Sequence, residues 1–164
     1  MLTQLDQERI KVLVADDDEQ VLECYLEVFR DDAATKNMLV LDALASELFD
    51  PETEIEDQPK FNIVSCSQGQ DAIDAVTAAK DAGEPFDAVI LDVRMPPGID
   101  GVEAGSQIRK LDSDVKIVFV TGFSDMPFED LQRRVPPPKN LHYFNKPLSF
   151  SALAKDVVSM VRGN

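Results

Sequence analysis

Basic residues are scarce in this chain: Lys and Arg total 16 against 31 Asp and Glu, a formal net charge of −15 over 164 residues. Such a balance repels phosphate backbones and anionic headgroups, which argues against direct nucleic-acid binding and against adsorption to a membrane. Cysteine is nearly absent too. Cys24 and Cys66 are the only two, in apolar segments without CxxC or Cys/His metal spacing, and they read as buried free thiols of a reducing compartment. No run approaches the roughly 20 apolar residues of a membrane span. Residues 1–10 carry charge and Gln where a signal peptide needs a continuous apolar stretch, so the expected location is cytoplasmic.

What is present is enough for one ordinary core. Hydrophobic residues make up 44% of the chain, and the length favours a single domain over residues 1–164. Short β-rich runs at residues 11–15, 61–66, 88–91, 116–120 and 141–144 alternate with segments of helical period. That alternation predicts an α/β fold with a parallel sheet and helices on both faces. Val21, Leu22, Tyr25, Leu26 and Phe29 form one helical stripe, and Ala72, Ile73, Val76 and Ala79 a second. Later helices are predicted over 102–111, 127–135 and 149–161, with Pro127 suited to a first helical position and Ser149 to a cap. The stretch between the first helix and the second strand, residues 31–60, is far longer than an ordinary connection. Met38, Leu41, Leu44, Ala45 and Leu48 predict a helix in its first half, and the acidic, proline-bounded residues 50–59 read as a loop. The inserted helix either extends its own domain or offers a dimer or partner-docking surface. Pro136-Pro137-Pro138 ends a helix and reads as a rigid spacer into the last strand.

The chemistry concentrates at strand ends. Asp92 closes the apolar run Ala88-Val89-Ile90-Leu91 and is followed by Met95-Pro96-Pro97-Gly98, a tight loop. In an open parallel sheet, ligands and reactive groups collect outside the carboxyl ends of the strands. Val12-Leu13-Val14-Ala15 likewise runs into Asp16-Asp17-Asp18, Ile117-Val118-Phe119-Val120 into Thr121-Gly122, and the last strand into Asn145-Lys146-Pro147. Asp16, Asp17 and Asp92 are hard oxygen donors of the kind and number that hold Mg²⁺, while Thr121 and Lys146 suit a phosphoryl group. Helix capping is the plainer role for the triple Asp, with Asp17 and Gln20 loosely resembling a capping box. One of the three can cap, but three adjacent acids without a base still call for a cation.

These pieces together resemble the receiver domains of bacterial two-component response regulators. The resemblance rests on Val14-Ala15-Asp16-Asp17-Asp18, on Phe86 through Pro96 with Asp100-Gly101, on Val120-Thr121-Gly122 and on Tyr143-Phe144-Asn145-Lys146-Pro147. Each is weak alone; in this order and spacing they are specific. It spans nearly the whole chain apart from the insertion after the first helix. The resemblance implies a doubly wound five-stranded parallel sheet of flavodoxin-like order 2-1-3-4-5. It further implies that Asp92 is the phosphoacceptor, that Asp16, Asp17, Asp92 and the Arg94 backbone carbonyl ligate Mg²⁺, with Mn²⁺ able to substitute, and that Lys146 neutralises phosphoryl oxygens. Thr121 and Tyr143 would form the switch pair. The implied partners are a histidine kinase or histidine phosphotransfer protein. Homodimerisation would use the inserted helix or the face of the fourth helix, fifth strand and fifth helix.

There are departures as well. Pro97-Gly98-Ile99 makes the loop after Asp92 one residue longer than the commonest form, and Gly122 stands where Ala is usual, which should leave the loop around Thr121 flexible. The insertion, the Pro-Pro-Gly loop and Arg133-Arg134-Val135-Pro136-Pro137 are similar to receivers of larger signalling proteins, such as hybrid kinases or cyclic-dinucleotide enzymes. The expectation is therefore a stand-alone receiver or a piece of a longer chain. Three other readings compete. A haloacid-dehalogenase-type phosphohydrolase needs a second Asp two positions after the nucleophile, and Arg94 stands there. A phosphate-independent interaction module would have lost an acid, the Thr or the Lys, yet all remain. A flavodoxin-like cofactor binder wants a Ser/Thr/Gly-rich phosphate loop after the first strand, where this chain has three Asp. The expectation is thus a signalling module and not an enzyme acting on external substrates.

Overall fold

A computed structural model describes residues 9–29, 60–122, 127–146 and 149–163. Five parallel strands, β1 (Ile10–Ala15), β2 (Phe61–Cys66), β3 (Ala88–Asp92), β4 (Lys116–Thr121) and β5 (Leu141–Asn145), lie in the order β2-β1-β3-β4-β5. Between and after them run α1 (Glu19–Phe29), α2 (Gly69–Asp81), α3 (Gly101–Leu111), α4 (Phe128–Arg134) and α5 (Phe150–Arg162). The predicted strand order is the observed one. The inserted helix and acidic loop expected at 31–60 fall outside the described residues, save Lys60.

Side chains alternate across the sheet and build a core on each face. Leu13, Val89, Leu91, Ile117 and Phe119 meet Ala72, Ile73 and Val76 of α2, Val102 and Ile108 of α3 and Leu131 of α4. On the other face Val12, Val14, Ile90, Val118 and Val120 pack against Tyr25 and Phe29 of α1 and Leu153 and Val157 of α5. The central strand β3 is buried at every position, which is why its sequence reads as a continuous apolar run, whereas the edge strand β2 leaves Val64 46% exposed. Each aliphatic side chain fully buried here contributes on the order of 1.5–3 kcal/mol. At the end of the sheet away from the acids, buried Arg109 donates to the carbonyls of Asp112, Ser113, Val115 and Asn140. Burial lowers its pKa, and these carbonyls tie the start of β4 to the turn before β5.

Local chemistry sets the helix ends, with two corrections to the sequence reading. Ser149 does cap α5, its Oγ accepting from the Ala152 N–H at 3.3 Å. Pro127 is the residue before α4 and not its first helical residue, because its extended backbone leaves the helix to begin at Phe128. The cap of α1 is Asp18, whose Oδ1 accepts from Gln20 N–H at 2.9 Å, and not Asp17. The cysteines also differ from expectation. Cys24 is exposed, because α1 buries only the stripe of Tyr25 and Phe29 and position 24 shares the solvent side with Glu23 and Glu27. Cys66 is half-buried; burial pushes its thiol up to about 12, so it is an unreactive group at neutral pH.

Candidate acidic site at the carboxyl edge of the sheet

The register of β1 against β3 pairs Ala15 with Leu91, so Asp16 and Asp92, each one residue further on, arrive side by side. Both are buried, at 1% and 7% exposure. Asp92 has the parity of Ala88 and Ile90 and lies above the face covered by α1 and α5. Oxygens of Asp16, exposed Asp17 and Asp92 lie within 4.8 Å of one another. Asp16 is further fixed by the Asp18 N–H, which donates to its Oδ1 at 2.9 Å. The three candidate metal-binding side chains therefore meet at one point.

Lys146, just past β5, brings the compensating charge. Its Nζ stands 3.4 Å from Asp16 Oδ2 and 3.4 Å from Asp92 Oδ2, a long and symmetric placement between the two acids. Burial pushes the Asp16 carboxyl up to about 6, the neighbouring Asp92 adding to it, while the Asp18 amide and Lys146 only partly offset the rise. Asp92 is raised as well, again chiefly by burial. Burial pulls on Lys146 in the opposite sense, but the two carboxylates outweigh it and hold the ammonium charged above its ordinary value. Lys146 thus only partly offsets the burial of the two acids. Hard carboxylate oxygens, close together, partly desolvated and undercompensated, are a donor set that fits Mg²⁺.

Thr121 and Tyr143 lie on the adjoining strands. Thr121 ends β4, is buried at 3% exposure, and its carbonyl accepts the Lys146 backbone N–H at 2.7 Å, so the two groups are tied at the backbone. Tyr143 is half-buried, donates its hydroxyl to Asn145 Oδ1 at 2.9 Å, and packs against Phe128 with the rings tilted at 44° and their centroids 5.8 Å apart. Arg94 is exposed, and its N–H lies 3.4 Å from Asp92 Oδ1. A Cβ added at Gly122 would meet nothing within 4 Å.

Two residues at the site escaped the sequence reading. Tyr25, counted only as part of a helical stripe, is buried beneath the acids, packs edge-on against Phe150 at 5.0 Å, and has its phenol raised by burial and by Asp16 and Asp92. Gln68, before α2, accepts the Gly98 N–H at 3.2 Å and donates to the Pro96 carbonyl at 3.3 Å. Its only sequence signal is a long amide at a position where Ser, Asp or Asn would cap the helix. Gly101, by contrast, is dictated by contact: a Cβ there would lie 1.8 Å from the Asp92 carbonyl oxygen.

Residues 51–157 match the family model of the response regulator receiver domain, and the chain belongs to that family. The matched stretch begins after Asp16 and Asp17; it is the pairing of β1 with β2 and β3 that adds them to the site. Among relatives, the response regulator receiver protein CpdR of Brucella abortus is 30% identical over 78 residues, 48% of this chain and 62% of CpdR. The sensor kinase CckA of the same organism is 30% identical over 89 residues, 54% of this chain and 9% of CckA. The match thus spans less than two thirds of either relative. The receiver domain of the Francisella response regulator 1452 superposes with a TM-score of 0.63 at 16% identity, covering 94% of this chain and 98% of that one, a likeness of fold.

Proposed function

We propose that this domain is the phosphoacceptor of a two-component relay, with Asp92 taking a phosphoryl group from a phosphohistidine on a histidine kinase or phosphotransfer protein. The observation that carries this reading is the Lys146 ammonium set equidistant from Asp16 and Asp92 over a cluster of three carboxylates. A carboxylate oxygen of Asp92 attacks phosphorus while the P–N bond of the donor breaks and the imidazole leaves with a proton from solvent. The product is an aspartyl phosphate, which water later cleaves to inorganic phosphate. Asp16, Asp17, Asp92 and the Arg94 carbonyl would hold Mg²⁺, which would supply charge neutralisation at the phosphoryl oxygens. Lys146 contacts a phosphoryl oxygen at the position where it now bridges the acids, and the Thr121 hydroxyl bonds another. Alignment and charge account for most of the rate, as is usual for phosphoryl transfer.

The domain turns over its own phosphate and no external substrate, since the residue two after Asp92 is Arg94, which cannot serve as a carboxylic general acid. Engagement of Thr121 biases Tyr143, which stands on the neighbouring strand against Phe128, and so reshapes the face of α4, β5 and α5 for a partner or a second copy. Among the described residues no helix is long and apolar enough to cross a membrane, and the excess of acid favours a protein partner over nucleic acid. Incubation with Mg²⁺ and acetyl phosphate, followed by intact-mass spectrometry, tests this. The expected result is one added phosphoryl group, lost in Asp92→Asn and with chelator. No gain in the wild-type protein, or an undiminished gain in Asp92→Asn, would overturn it.

A further inference from the structure

We infer that Gln68 is a positioning residue that holds the rim of the acidic site and thereby sets its affinity for Mg²⁺, an inference that rests on the receiver-site reading above. The loop from Val93 to Asp100 must present the Asp92 end of β3 in one geometry, yet Pro96 and Pro97 have no N–H to give. Among the described residues, its ends are joined by a single backbone bond, Gly101 N–H to the Val93 carbonyl at 2.8 Å. Buried Met95 anchors the inner side. The outer side is held by the Gln68 amide, which takes the Gly98 N–H and gives to the Pro96 carbonyl, spanning the turn from a different βα connection.

The choice of Gln has a local cost. Position 68 is the N-cap of α2, with an extended backbone, and its side chain makes no capping bond; only its carbonyl joins the helix, accepting from Ala72 N–H at 3.2 Å. Asn would cap α2 but is one methylene too short for the same reach to the loop. The chain has therefore forgone helix stabilisation at this position in favour of the loop. Without the amide clamp, metal binding has to order the loop that carries Arg94, and affinity falls by the fraction of molecules already ordered.

Gln68→Asn separates this role from a structural one, because the two make opposite demands. Calorimetric titration with Mg²⁺ and thermal melting in EDTA are compared with wild type. Loss of two exposed hydrogen bonds predicts an Mg²⁺ Kd raised about three- to tenfold, while the melting midpoint in EDTA stays level or rises from the new cap. Gln68→Met, of similar length without polar atoms, should weaken Mg²⁺ binding equally, and it serves if the Asn variant fails to fold. Unchanged Mg²⁺ affinity in the variants against a binding wild type would overturn the role of Gln68 alone. A wild-type protein that binds no Mg²⁺ would overturn the site reading beneath it, and the role of Gln68 with it.

Discussion

Asp16 should make the metal-free protein less stable as pH rises, and removing its charge should reverse this. Its carboxyl is nearly fully buried at 1% exposure and is raised from 3.8 to about 6 in the folded chain. The folded state therefore holds the proton more tightly than the unfolded one. Stability from this group is fully present below the unfolded pKa and is lost as pH rises through the interval from 3.8 to about 6. At about 1.36 kcal/mol per unit the loss is on the order of 2–3 kcal/mol by neutral pH. Asn at this position can still accept the Asp18 N–H but never ionises. Asp16→Asn should thus match wild type within about 1 kcal/mol near the bottom of that interval, and exceed it by on the order of 2 kcal/mol at neutral pH. The assay is urea unfolding followed by circular dichroism in EDTA across this range, where the difference between the two proteins cancels the shared titrating groups that are not coupled to Asp16, leaving Asp16 with its neighbours Asp92 and Lys146. Parallel profiles, or a variant less stable at neutral pH, would refute the claim that Asp16 is held charged against its solvation. With Mg²⁺ restored, the ordering should invert, because wild type alone keeps the full donor set.

Lys146→Met removes the ammonium set between Asp16 and Asp92, so phosphoryl gain from acetyl phosphate at neutral pH should fall by about a hundredfold, read as the initial rate by intact mass. Gly101→Ala places a Cβ against the Asp92 backbone carbonyl, which cannot rotate away as a side chain could. It should destabilise the fold by about 3 kcal/mol or more in urea unfolding, and a loss under 1 kcal/mol would show that the loop yields freely. Ile90→Ala empties a fully buried position in the central strand and should cost about 2–5 kcal/mol, measured the same way.

The sheet was legible because its signals are local. Ala88 to Asp92 is a short run buried on both sides, and such a run has few alternatives to a central parallel strand. Ser149 could be read as a cap from the apolar helix that follows it. The strand-end placement of Asp16, Asp92 and Lys146 was also readable, and the rule that ligands collect outside the carboxyl ends of parallel strands groups them. Lys146 lies 130 residues from Asp16, so the strand order that makes them neighbours came from the resemblance and is set physically by the strand register. Where the reading failed, the deciding quantity was rotational or distant. Which of three consecutive Asp caps α1 depends on where the helix begins to the nearest residue, and the exposure of Cys24 on a turn of roughly 100° per residue. Gln68 was invisible because its partners are 28 and 30 residues away on a loop with no pattern of its own.

Asp92, and neither of the acids beside it, should accept the phosphoryl group. Brief treatment with Mg²⁺ and acetyl phosphate, then borohydride, converts an aspartyl phosphate to homoserine, and tandem mass spectrometry of the digest reads the residue so marked. Homoserine is expected at position 92 alone, dependent on Mg²⁺. Homoserine at position 16 or 17, or none anywhere after a verified gain in mass, would contradict it.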